Sequence, residues 1–289
     1  VFKEEVILKT KDGFDIFSSV FTPDGMLKGG VVVNSATAVG QGYYEKFAQF
    51  LVQQGYVVIT YDYRGIGRSA VSNSRNKRLK MRAWGKYDLE AVIDWAKSQH
   101  GEIDWHCVGH SVGGQILGFA KSNDFFKSVY CVSSQSGYWG HWEGFKKARI
   151  FVMWFAVVPL LATLFGKVPG IFLGGESLPE SIAKQWAYWG RNPQYIVDKQ
   201  GVPIRDGFHR VSCSMKFLQI DDDYEFAPPK SVQALAGFYQ QADVQVVKVS
   251  SEEHGSKIGH FGFFRSKHQH GLWLDALGWL DLHNASVST

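Results

Sequence analysis

The sequence predicts an α/β protein: a doubly wound, mostly parallel sheet of about eight strands, carrying a helical insertion. Three observations lead there. Short β-branched or apolar runs alternate with runs of helical periodicity along the first 133 residues. One of these runs, Gly30–Asn34, is β-branched in the way that suits a strand buried on both faces. The alternation stops between about Tyr138 and Arg210 and resumes at Met215.

In chain order, Val6–Thr10 and Asp15–Phe21 read as strands joined at Lys11-Asp12-Gly13, where Asp-Gly is a hairpin signal. Thr22-Pro23-Asp24-Gly25 is a turn. The strand Gly30–Asn34 runs into a loop of small residues, Ser35–Gly42, and then a helix, Tyr43–Gln54, closed by Gly55. Val57–Tyr61 is the next strand, followed by Asp62–Ser69. Asp88 is expected to cap a helix, Leu89–Ser98. The strand Ile103–Val108, a helix from Val112 to Lys121 and the strand Val129–Ser133 continue the pattern. Beyond the insertion, taken as 138–210 within a core of 1–137 and 211–289, come the strand Met215–Ile220, the helix Pro229–Gln240, the strand Val244–Val249 and the helix Gly271–Leu282.

Within the insertion, Ile150–Gly166 is almost wholly apolar. It is shorter than the ~20 residues a spanning helix needs and is broken by Pro159, so a buried or lid helix is expected and no stable membrane insertion. A net charge of +4 and the lack of an aromatic–basic recognition pattern argue against nucleic acid. Cys107, Cys131 and Cys213 form neither a disulfide framework nor a C-x-x-C motif. Free buried thiols at Cys107 and Cys131 fit a reducing, cytoplasmic setting. No metal site and no cofactor are expected. The basic stretch Arg75, Lys77, Arg78, Lys80, Arg82 reads as a solvated face, with docking of an anionic leaving group as its sharper alternative.

The chemistry centres on Gly109-His110-Ser111-Val112-Gly113, a G-x-S-x-G between a strand and a helix. Such a turn lifts the serine hydroxyl out of the sheet and aims the Val112 N–H where an oxyanion would form. Serine needs a base, and the base an orienting acid; on a sheet of this kind they follow in the order acid, then histidine, each after a strand. Asp221-Asp222-Asp223 follows the strand ending at Ile220. His254 and His260 follow the strand ending at Val249. His260, between small and aromatic residues, is the expected base, since His254 adjoins Glu252 and Glu253 and reads as a solvated residue. Counting from the strand end favours Asp223 over Asp222. His110 is expected to pack beneath the site.

These residues, with Asp62-x-Arg64-Gly65-x-Gly67-x-Ser69, an Asp-x-x-x-x-Pro loop and Gly259-His260-Phe261, resemble the α/β-hydrolase superfamily from Val6 to the last helix. Within it, the chain is similar to a thinly characterised bacterial group of predicted hydrolases. The resemblance implies a second oxyanion N–H just after the third strand. There the family often has His-Gly, but this chain has Asn34-Ser35-Ala36-Thr37, so Ala36 is the donor by position and Thr37 the alternative.

The reading that follows is a serine hydrolase with the triad Ser111, His260 and Asp223, acting on a small apolar carboxylic ester or thioester through an acyl-enzyme. The alternative is a non-catalytic binding or receptor protein on the same fold. The insertion is expected to cap the site and to form an apolar acyl pocket with Trp154, Phe155 and Trp186, hinged at Gly170, Gly174 and Gly175. The sequence leaves the oligomeric state open.

Overall fold

The structure is a computed structural model and describes residues 1–284. Eight strands form one sheet in the order β1-β2-β4-β3-β5-β6-β9-β10. Their ranges are β1 Phe2–Lys9, β2 Asp15–Thr22, β3 Gly29–Asn34, β4 Tyr56–Tyr61, β5 Trp105–His110, β6 Phe126–Val132, β9 Ser214–Ile220 and β10 Asp243–Val249. β1 and β2 pair antiparallel, as do β2 and β4; the remaining pairs are parallel. The predicted fold class is therefore the observed one. β1 begins four residues earlier than its apolar pattern suggests, because Phe2–Glu5 is held by its partner strand rather than by burial.

Strands β3, β4 and β5 are buried along their whole length. Within β3, Val32 joins a core on one face while Val31 and Val33 join a core on the other. A strand with apolar side chains on both faces needs helices on both, which is why its sequence shows no alternation. Strand order reverses at β3, which pairs with β4 on one side and β5 on the other. At such a switch point the loops leaving neighbouring strands diverge and open a crevice at the carboxyl ends.

The turn after β4 is built around a buried ion network. Arg64, with a fully buried side chain, meets Asp88 at 2.6 Å and Asp12 at 2.6 Å. Asp88 also accepts the Arg64 backbone N–H at 2.9 Å. This corrects the expected role of Asp88. It caps no helix but lies within a π-helical stretch, Trp84–Leu89, that leads into the helix Glu90–His100, and its carboxylate points inward. Phe14 stacks on the guanidinium at 4.3 Å. Beside it, the Asp62 carboxylate accepts from Gln41 N at 2.7 Å, fixing the far end of the loop after β3.

The segment between β6 and β9 lies outside the large sheet. Its short strands β7 (Lys167–Val168) and β8 (Leu178–Pro179), which sequence patterning does not reveal, pair only with each other. The helix Glu180–Arg191 packs against the long apolar helical run Gly144–Phe165. This cap is tied to loops that leave the carboxyl ends of three sheet strands: Trp154 Nε1 donates to Gly137 O at 2.9 Å, Trp142 Nε1 to Glu225 O at 3.0 Å, and Pro179 abuts Gly65. The apolar run was expected to be buried or to act as a lid. It sits in the cap, but only 22% of its most apolar window is buried. Arg75, from the basic stretch, reaches Glu180 at 3.0 Å and Thr163 O at 3.2 Å, and so pins the cap. Cys107 and Cys131 are buried free thiols, and Cys213, also free, is partly buried.

Candidate active site

Ser111 ends β5 in a left-handed conformation, φ +54°, that a residue with a Cβ rarely adopts. Its N–H is held by Val132 O at 2.9 Å, so the strain is fixed by the neighbouring strand β6. The flanking glycines are steric requirements. A Cβ at Gly113 would lie 2.2 Å from Asn34 O, and one at Gly109 2.7 Å from Gly114 N. The result is a sharp strand-to-helix turn with the serine at its tip.

His260 lies in a short helical turn, Gly259–Gly262, and its Nδ1 meets Asp223 Oδ2 at 2.7 Å. Both side chains are buried. Of the three aspartates, Asp221 accepts Ser251 N at 2.9 Å in the solvent-facing loop. Asp222 accepts Ile258 N at 3.0 Å and Gly259 N at 2.6 Å, holding the histidine loop in place. Only Asp223 reaches the imidazole. His254 stands away from this pair, against His268 at 6.4 Å between ring centres.

A second histidine joins the elbow to the first. His110 Nε2 donates to the carbonyl oxygen of His260 at 2.8 Å, and His110 Nδ1 lies 2.9 Å from Tyr44 Oη. Tyr44 Oη in turn accepts the Ala36 N–H at 2.8 Å. A carbonyl oxygen can only accept, so the His110 proton sits on Nε2, and the neutral ring's Nδ1 accepts the Tyr44 phenol proton. Burial holds His110 well below the usual imidazole range and lifts the Tyr44 phenol, so both stay neutral. His110 does pack beneath the site, and it also bridges the loop after β3 to the backbone of His260.

The same bond corrects the expected oxyanion donor. Ala36 N–H is taken up by Tyr44, and Thr37 is the next N–H along. Among the described residues no hydrogen bond engages the N–H of Thr37 or of Val112. The loop lacks the family's glycine but is fixed by three tyrosine hydroxyls on three consecutive residues. Tyr61 Oη donates to Asn34 Oδ1 at 2.8 Å, Tyr63 Oη to Ser35 O at 2.9 Å, and Tyr44 holds Ala36. Asn34 Nδ2 continues to Gly113 O at 3.2 Å, linking this loop to the elbow helix. Sequence reading missed these tyrosines; the alternation of Tyr61 and Tyr63 at a strand end was the available signal. Changing Tyr44 to Phe leaves the buried Ala36 N–H and His110 Nδ1 without partners. The expected result is a loss of ~1–3 kcal/mol in urea unfolding, with a lower kcat and little change in KM.

The aromatic residues expected to line an acyl pocket are placed otherwise. Trp154 is 2% exposed, bonded to Gly137 O and packed on Trp186 at 4.6 Å between ring centres, so it ties the cap to the loop after β6. Phe155 is 43% exposed and stacks on Phe151 at the surface. A cavity of about 790 Å³ lies between Tyr43, Phe261, Arg265, Asp62, Arg68 and Glu176, and none of the three lines it. Around His260 itself the rings are Phe226 and Phe261, each at 5.0 Å. Of the three expected hinge glycines, Gly174 is left-handed (φ +72°), whereas a Cβ at Gly170 or Gly175 would strike backbone. Among the described residues no group of three or more His, Cys, Asp or Glu side chains is placed to hold a metal ion.

Fold and site together define a doubly wound α/β protein with a strained serine at a switch-point turn, joined through the neighbouring His110 to a buried histidine–aspartate pair. The fold is that of the α/β hydrolases. Residues 27–155 match the family described as serine aminopeptidase, S33. The chain is 32% identical over 107 residues to a monoacylglycerol lipase of Mycolicibacterium smegmatis, a match spanning 36% of either protein. Its fold is similar to that of DcsB, solved with a substrate analogue (TM-score 0.68, 15% identity, 98% of this chain and 100% of the other). It is also similar to the esterase domain of a Rhodothermus marinus protein (TM-score 0.62, 14% identity, 98% and 99%).

Proposed function

We propose that the protein is a serine hydrolase that cleaves a carboxylic ester or thioester with an apolar acyl group. The observation that carries this reading is the strained Ser111 turn, tied through His110 to a histidine whose Nδ1 is bonded to Asp223 at 2.7 Å. Ser111 Oγ attacks the carbonyl carbon while His260 Nε2 takes its proton. Asp223 fixes the tautomer that leaves Nε2 free to do so and stabilises the imidazolium. The N–H groups of Val112 and Thr37 receive the developing oxyanion. His260 then returns the proton to the leaving alcohol or thiol, and water repeats the sequence on the acyl-enzyme. Phe226 and Phe261 beside His260 give the acyl group an apolar surface. The lipase and esterase names among the similar proteins support an ester substrate.

A fluorophosphonate probe tests this directly. The wild type is expected to label once per chain, at Ser111, and Ser111→Ala not at all. A protein that binds ligands on this fold without catalysis stays unlabelled, and that result would sink the proposal.

A further inference from the structure

We infer that the cap helix run Gly144–Phe165 is a docking face for an anionic phospholipid surface. It is a 22-residue helical run whose most apolar 18-residue window has a mean hydropathy of 2.0. Its buried positions are Ile150, Trp154, Val158 and Ala162, a single stripe at four-residue spacing. This stripe packs on the helix Glu180–Arg191, where the Trp154 ring fills the space a Cβ at Gly190 would need. Of the rest, Lys146, Met153, Pro159 and Leu161 are partly buried and the other positions face outward. Phe155, Leu160, Leu164 and Phe165 are 43–63% exposed, and the turn that follows adds Ile171 and Phe172 at 88% and 64%. An apolar face of this extent on a water-soluble surface marks a binding site.

Charge selects the occupant. From Gly144 to Gly175 there is no Asp or Glu, and there are four cations: Lys146, Lys147, Arg149 and Lys167. Lys146 and Arg149 share Glu225, while Lys147 and Lys167 are exposed and form no ion pair among the described residues. An apolar face bearing cations and no acid matches the boundary between anionic headgroups and acyl chains. The run is long enough to span a bilayer, but one stripe is glued to the rest of the cap. It therefore lies along the interface rather than across it. Because the cap is tied to the loops leaving β4, β6 and β9, docking would bring the end of the molecule that carries Ser111 toward the lipid. Only that consequence depends on the proposed hydrolase reading; the docking itself does not.

The test is co-sedimentation of the full chain with vesicles of phosphatidylcholine alone or mixed with phosphatidylglycerol. The wild type is expected to pellet with the mixed vesicles, and more weakly with phosphatidylcholine alone or at high salt. Leu160→Glu and Leu164→Glu should each weaken binding about tenfold, and Lys147→Glu with Lys167→Glu should remove the preference for phosphatidylglycerol. All four side chains are exposed, so thermal midpoints should match the wild type, and this is checked alongside. A wild type that stays in the supernatant, or leucine variants that pellet equally well, overturns the proposal. So does a wild-type dimer that the leucine variants dissociate while neither form binds vesicles, since the face then belongs to a second copy.

Discussion

Ser111→Ala is expected to lower kcat for a p-nitrophenyl ester by about 10⁶-fold, and Asp223→Asn by about 10⁴-fold. The serine variant lacks the attacking oxygen. The aspartate variant keeps the shape of the site, but an amide nitrogen against His260 Nδ1 favours the tautomer with its proton on Nε2, and Nε2 can then no longer act as a base. Asp222→Asn is the informative control. Its carboxylate serves two backbone N–H groups of the histidine loop, and asparagine keeps one acceptor for them, so the loss should be far smaller and partly recovered at lower temperature. Equal losses in Asp222→Asn and Asp223→Asn, with both proteins folded, would mean that the acid has been misassigned. A wild type inactive on every ester and thioester, yet labelled by fluorophosphonate, would keep the activated serine and discard the substrate class.

Arg64→Ala is expected to cost ~3–5 kcal/mol of stability, because it leaves a buried carboxylate without its counter-charge. Asp88 is fully buried and Asp12 largely so, and both face the same guanidinium. Burial pushes the Asp88 carboxyl up, while Arg64 holds it down. Without the guanidinium, burial and the nearby Asp12 push the carboxyl up against only the backbone N–H of residue 64, and the folded state then binds a proton that the unfolded chain, with a carboxyl pKa of ~3.9, has already released. Stability of the variant should therefore fall as pH rises from about 4 toward neutrality. Urea unfolding at two pH values measures it. Arg64→Lys should rescue little, since an ammonium cannot serve both carboxylates and the Phe14 ring in one plane. An unchanged midpoint in Arg64→Ala would show that the network contributes nothing net. The functional corollary is positional: this turn abuts the Asp62 carboxylate that anchors the loop after β3 at Gln41.

The sequence by itself determined the sheet and the turn at its centre, because both are local. The β-branched run at β3 suits a strand covered on both faces, and a Cβ at Gly109 would strike the backbone of Gly114, five residues on. The order serine, acid, histidine follows from the same strand succession. Tertiary structure decided what depends on partners far away in the chain. Asp221, Asp222 and Asp223 are equivalent in sequence, and only the approach of a loop 37 residues on separates them. Asp88 looked like a cap because Arg64, 24 residues earlier, is invisible to helix patterning. Ala36 lost its expected role to a tyrosine eight residues on, whose hydroxyl takes up its N–H. The apolar run 150–166 reads as a buried or lid helix because hydropathy measures how a segment would partition, not whether the fold provides anything to cover it. Only the packed cap shows that a single stripe of the run is fully covered by protein, and that most of the rest is left facing outward.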